Sequence, residues 1–152
     1  MIGILGKNRL NFFDILVLIS CECFIFTYFD LNFLMLKTIT TGGDTGSHYY
    51  TGVFLKEVLL PQGKIMGWMN ANYAGYPLFY HYFPLPFLMM ALLAYLIPMQ
   101  IAFKLITVLG TVLTPIFLYI SFRLAKVPKP IPIIASVASL AFLFNEKNSM
   151  WG

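Results

Sequence analysis

Ile101-Ala-Phe-Lys-Leu-Ile-Thr-Val-Leu-Gly-Thr-Val-Leu-Thr-Pro-Ile-Phe-Leu-Tyr-Ile-Ser-Phe122 is the stretch that decides the fold. It is apolar over the length a membrane-crossing helix needs, about 20 residues at 1.5 Å each. Its surroundings are of the same kind. Upstream, Phe12–Leu36 reads as a first span. Downstream, Ile131–Phe144 reaches span length only by including Pro128–Pro132. Between them Pro84–Pro98 is apolar but holds just 15 residues, its end prolines included.

Composition agrees. The chain is 59% apolar and 11% charged over 152 residues, with mean hydropathy +0.79, where a soluble domain carries about 25% charged residues. Too few polar groups exist to cover a soluble surface, so the chain reads as an integral membrane protein. Aromatic residues, 17% of the total, suit lipid contact and interfacial belts. The net charge of +4 comes without a basic run interleaved with aromatics, so nucleic acid is excluded as a partner. The expected fold class is all-α, an integral membrane helical protein. It has about three to four transmembrane segments plus juxtamembrane amphipathic helices in the first external loop.

The expected organisation is a first span over 12–36, an external loop with interfacial helices over 37–100, and spans over 101–123 and 130–145. The first span is too long for a signal peptide, and no small-residue cleavage site follows it. Lys7 and Arg9 precede it, while Arg123, Lys126 and Lys129 cluster in a later connection. Cytoplasmic short loops collect Lys and Arg. Both clusters are cytoplasmic if Pro84–Pro98 lies flat or re-enters, and that three-span arrangement is the expected one. It makes the chain a multi-pass cell-membrane protein with a cytoplasmic N-terminus.

Asp14, Glu22 and Asp30 interrupt the first span. Each acid at mid-bilayer costs about 2.5–3.5 kcal/mol. Asp14 and Asp30 lie near the ends and are expected to reach the interface. Glu22 is central, and a structural hydrogen bond to another helix is weighed there against a polar cavity lining. Cys21 and Cys23 diverge around the helix and read as small apolar fillers, with no second pair to complete a zinc site.

Directly after the first span comes Gly42-Gly-Asp-Thr-Gly-Ser-His-Tyr-Tyr50. This puts Asp44 and His48 just outside the hydrocarbon as a candidate reaction centre. Asp44 is equally a helix N-cap, and His48 equally an interfacial polar residue. If residues 44–48 are helical, the two share a face, although Gly46 weakens that. Gly42, Gly43 and Gly46 would let backbone N–H groups approach a phosphate, or would simply make a turn. His48–Leu60 reads as a short amphipathic interfacial helix ended by Pro61-Gln62-Gly63, and Gly67–Tyr76 as loop. Asn70, Asn72, Tyr73 and Tyr76 suit a sugar site or a solvated loop. His81, between Tyr80 and Tyr82, suits substrate binding or an aromatic belt. Trp68 and Trp151 read as interfacial anchors.

The order of these pieces resembles the amino-terminal part of a family of polytopic membrane proteins labelled 6-pyruvoyl-tetrahydropterin synthase-related. The resemblance covers about residues 40–130. It rests on Asp44-Thr-x-x-His48 with Ala74-Gly-Tyr-Pro77 and Tyr82-x-Pro-x-Pro86. The chain lacks the cluster of His ligands that the soluble zinc enzyme of that label would need. The layout is also similar to the GT-C class of lipid-linked glycosyltransferases. That similarity implies an acid on the first external loop acting as general base or metal ligand, and a polyprenyl-phosphate sugar as donor. Asp44 occupies the matching position, and a divalent cation, Mg or Mn, is the implied cofactor. Members of that class have many more spans, so the chain is expected to be the amino-terminal piece of a longer protein or a truncated product. Its implied partners are membrane lipid, the lipid-linked donor and the remaining helices of a parent chain. The reading from another class is a small non-catalytic helical subunit that binds partner helices or lipid.

Overall fold

The computed structural model describes residues 11–39, 42–71 and 74–145. Lys7, Arg9, Asn72, Tyr73 and Trp151 lie outside the described residues. The elements in chain order are α1 (Phe12–Tyr28), α2 (Leu31–Met35), α3 (Thr45–Phe54), β1 (Gly67–Met69), β2 (Tyr76–Leu78), α4 (Leu85–Leu93), α5 (Met99–Leu124) and α6 (Ile131–Leu143). The fold is mostly helical, as expected. The exception is a two-stranded antiparallel hairpin where a plain loop was expected.

Length separates the helices. The 26 residues of α5 extend about 39 Å, enough for a hydrocarbon core of about 30 Å. Among the described residues α5 is the one helix long and apolar enough to cross a membrane, and 33% of its apolar window is buried. A core helix of a soluble protein would be mostly buried, so this exposure suits lipid. The 17 residues of α1 and 13 of α6 reach about 25 and 20 Å. Three to four full spans are therefore not what the helix lengths show. The expected first span over 12–36 breaks at Phe29, whose backbone is extended (φ −95°, ψ 118°). Asp30 follows, a residue type whose short polar side chain competes for backbone groups, and only the five-residue α2 resumes. The expected span over 130–145 starts after Pro130 and ends at Leu143.

The chain divides into two compact units. One comprises Met1–Asp30 with Val108–Gly152. Asp14, expected to reach the interface, is instead 1% exposed. Its Oδ2 accepts from Tyr119 Oη (2.6 Å), Lys129 Nζ (2.6 Å) and the Asn11 backbone N–H (3.4 Å). An acid this short cannot snorkel past the helix start, and a cation supplied by the α5–α6 connection meets it instead. At the other end of α1, the Phe24 and Tyr28 rings pack on Phe144 at 5.4 and 4.5 Å. Thus α1 and α6 run in the same direction. Pro115 removes one rung from the α5 ladder. The Ser136 hydroxyl, fully buried, donates to Pro115 O (2.9 Å), shared with Pro132 O (3.0 Å). Small polar residues are common where membrane helices meet closely. Both Glu22 carboxylate oxygens are enclosed and have no partner among the described residues, so the expected hydrogen bond to another helix is not formed there. Cys21 and Cys23 are free thiols, one buried and one exposed.

The other unit, Leu31–Thr107, has a core of Leu55, Leu59, Met69, Leu78, Phe87 and Met90 with their neighbours. The expected amphipathic helix exists, and its apolar stripe is covered by protein. Its buried positions Thr51, Gly52, Leu55 and Leu59 pack into this core, against α4 among others. After α3 the helix continues through a π-turn (Leu55–Leu59) and a 3-10 turn (Leu60–Gln62) to a left-handed Gly63, so Pro61-Gln62-Gly63 ends it as expected. Two contacts at each flank fix how α3 lies. Towards α4, the His48 and Phe87 rings are 5.8 Å apart, and a Cβ on Gly52 would meet Met90 Sδ at 2.4 Å. Towards α5, the Tyr49 and Phe103 rings are 5.7 Å apart, and the same Cβ would lie 2.8 Å from Met99 Cε. Hence α4 runs with α3 and α5 runs against it. The starts of α3 and α4 share one end of this unit, the end towards which the part of α5 up to Thr107 runs. Lys104, 6% exposed, donates Nζ to the carbonyls of Phe33 and Leu36 (the latter at 2.7 Å), closing the C-terminal end of α2.

Two substitutions test these units. Asp14→Leu strands a buried Tyr119 hydroxyl and should lower stability in detergent by about 1–3 kcal/mol, read as an earlier thermal or denaturant midpoint. Gly75 has φ +83°, and a Cβ there would lie 2.7 Å from Met69 O. Gly75→Ala should therefore cost more than about 1 kcal/mol and open the hairpin to protease near residues 67–78.

Candidate functional site

Asp44 stands immediately before α3, exposed, with φ −88° and ψ 9°. Its carboxylate makes no cap hydrogen bond. At the helix start Thr45 N–H donates to Gly42 O (3.1 Å), and His48 N–H to Asp44 O (3.0 Å) makes the first helical rung. Gly42 and Gly43 take φ +132° and +45°, which is turn geometry. Gly46 does not interrupt the helix, so Asp44 and His48 do sit one turn apart. His48 is half-buried. Its ring stacks on Tyr82 (6.3 Å, 19°) and tilts against Phe87 (5.8 Å). Phe87 in turn packs on Phe79 at 5.4 Å. An aromatic surface therefore fixes the imidazole, while the carboxylate beside it stays open to solvent.

The hairpin supplies the other candidates. Met69 pairs with Tyr76, Trp68 with Pro77 and Gly67 with Leu78. Both strands are edges, so Pro77 removes no needed donor. The Tyr76 hydroxyl reaches Met69 Sδ at 3.9 Å, and Asn70 is exposed just past β1. No hydrogen bond or ring contact joins Asn70 or Tyr76 to Asp44 or His48 among the described residues. His81 is exposed next to Tyr82, and Asn72 lies outside the described residues. The structure thus brings His48 to an aromatic cluster, with Asp44 one turn away, and leaves Asn70 and Tyr76 on the hairpin. Tyr82 was read as part of an aromatic run beside His81 and not as a partner of His48, and Phe87 was not singled out.

Burial pushes the Tyr49 phenol up, and the Glu57 carboxylate adds to this, so the phenol stays neutral at ordinary pH. Among the described residues no group of three or more His, Cys, Asp or Glu side chains gathers to hold a metal ion. Asp44 and His48 alone fall short of a usual oxygen-rich divalent site.

Residues 79–152 match the sequence model of a family described as 6-pyruvoyl-tetrahydropterin synthase related domain, membrane protein. No curated protein and no solved structure matches the chain. The matched part includes His81, Tyr82 and all of α4, α5 and α6, and it begins after Asp44, His48, Asn70 and Tyr76. The resemblance expected over about residues 40–130 is thus carried by the carboxy-terminal side of the chain. Membrane character stands on this match together with α5.

If the aromatic cluster fixes His48, His48→Ala should lose about 0.5–1.5 kcal/mol of stability while His48→Phe retains it. Denaturation of both variants in detergent measures the difference.

Proposed function

We propose that this chain is the membrane-embedded part of a glycosyltransferase-like protein that takes a sugar from a polyprenyl-phosphate donor at the external face. The observation that carries this reading is the exposed, uncapped Asp44 carboxylate one helical turn from a His48 ring held by Tyr82 and Phe87. In the transfer, an acceptor oxygen bonds to the anomeric carbon and its proton passes to Asp44. The bond from that carbon to the phosphate oxygen breaks, and the phosphate leaves with the electron pair. Asp44 is the general base. His48 donates a hydrogen bond to the departing phosphate, a role that its fixed ring makes favourable. Where a Mg or Mn ion takes part, Asp44 is the ligand this chain offers, and further ligands come from elsewhere. Asn70, Asn72, Tyr76 and His81 are the candidate sugar contacts.

The ion pair of Asp14 with Lys129 supports the topology of this reading. It joins the start of α1 to the basic α5–α6 connection at one end of their unit, as expected if both are cytoplasmic. The nine residues of α4, about 14 Å long, are too short to cross. Because α5 is the candidate span between them, single Cys at Gln100 and at Lys126 should label from opposite sides of the membrane.

In the complete protein, Asp44→Asn should reduce sugar transfer from a radiolabelled polyprenyl-phosphate donor by about 10²-fold or more and leave membrane insertion intact. Full activity in that variant would remove Asp44 from the chemistry.

A further inference from the structure

The sequence carries no Asp, Glu, Lys or Arg between Lys64 and Lys104. A charge-free run of that length ordinarily marks transmembrane helix. Here its described part folds as a hairpin, the short α4 and the start of α5, and α4 cannot span. The run still leaves apolar side chains uncovered. Tyr80 is 61% exposed, Tyr82 46%, Phe83 58% and Leu85 63%. They are consecutive but for exposed His81 and half-buried Pro84.

Their placement is built. Phe79, just before them, has φ +62°, a conformation that a bulky residue takes at a cost of about 1–2 kcal/mol. It is 5% exposed and packs on Phe87, so the chain turns outward from a fixed buried ring. Tyr82 and Phe83 then stack on each other at 4.2 Å. Because α4 runs with α3, this tip lies at the end of its unit where both helices begin.

We propose that Tyr80–Leu85 is a lipid-inserting edge, seated at the boundary between headgroups and hydrocarbon. The occupant follows from the chemistry of the edge. Tyr and His offer polar tips on apolar bodies, Phe and Leu offer apolar surface, and no full charge has to be desolvated. This is the residue set of an interfacial belt. The edge also explains how a charge-free segment too short to cross keeps company with a membrane: it dips in and returns. This inference rests on the membrane character of the chain and stands whether or not Asp44 is catalytic.

The test places Phe83→Trp in the full chain with Trp68→Phe and Trp151→Phe, reconstituted in phosphatidylcholine vesicles. Vesicles of the same lipid brominated near the top of the acyl chains should quench its fluorescence by roughly half, and acrylamide should quench it little. Quenching by acrylamide alone would put the edge in water, and quenching by neither would put it under protein; both overturn the proposal. Wild-type protein photolabelled with a membrane-partitioned diazirine covers the case in which the variant fails to fold. Adducts are expected on residues 80–85, and their absence there, with adducts present on α5, overturns it equally. Neither readout depends on sugar transfer, so its failure is distinguishable from loss of the Asp44 reading.

Discussion

In lipid, every polar group needs a partner from the protein itself, and this constraint organises the chain. With ten basic and six acidic side chains in 152 residues, each buried charge becomes a fixed point. Asp14 gathers a phenol, an ammonium and a backbone amide on one oxygen, and so ties α1, α5 and the α5–α6 connection together. Lys104 finishes α2 by taking up two of its last carbonyls. Ser136 takes up the carbonyl of Pro115, the residue whose missing N–H had already broken the α5 ladder. Glu22 stands apart, since its carboxylate is enclosed without a partner among the described residues.

The same economy explains what was legible in the sequence. The α5 span and the stop at Pro61-Gln62-Gly63 rest on local chemistry, hydropathy in one case and turn residues in the other, and both are present. The break at Phe29–Asp30 was harder to see, because an apolar run of 25 residues and two shorter helices look alike in hydropathy. The fate of Asp14 was illegible for another reason. Its partners are 105 and 115 residues away, and no local pattern announces them. The hairpin was hidden by its brevity, three residues per strand, although Gly75 before Tyr76-Pro77 marked the turn that it needs. At the site, Asp44 and His48 were recognisable as types at a spacing. The stack of His48 on Tyr82 comes from α3 and α4 running side by side, which is tertiary information.

That arrangement also separates two roles within a single turn of helix. The imidazole rests against two neighbouring rings, Tyr82 and Phe87, so its orientation is set before any ligand arrives. The carboxylate one turn earlier is exposed and makes no cap hydrogen bond. The turn at Gly42 and Gly43 takes up the Thr45 N–H and leaves that carboxylate unused.

The distance between Asp14 and its partners along the chain has a consequence in time. At about 5–20 residues per second, the ribosome delivers Tyr119 and Lys129 on the order of 5–20 s after Asp14. Through that interval the Asp14 carboxylate has the Asn11 amide of its own helix start but neither of those partners. The fixed point of its unit is completed only when the α5–α6 connection is delivered.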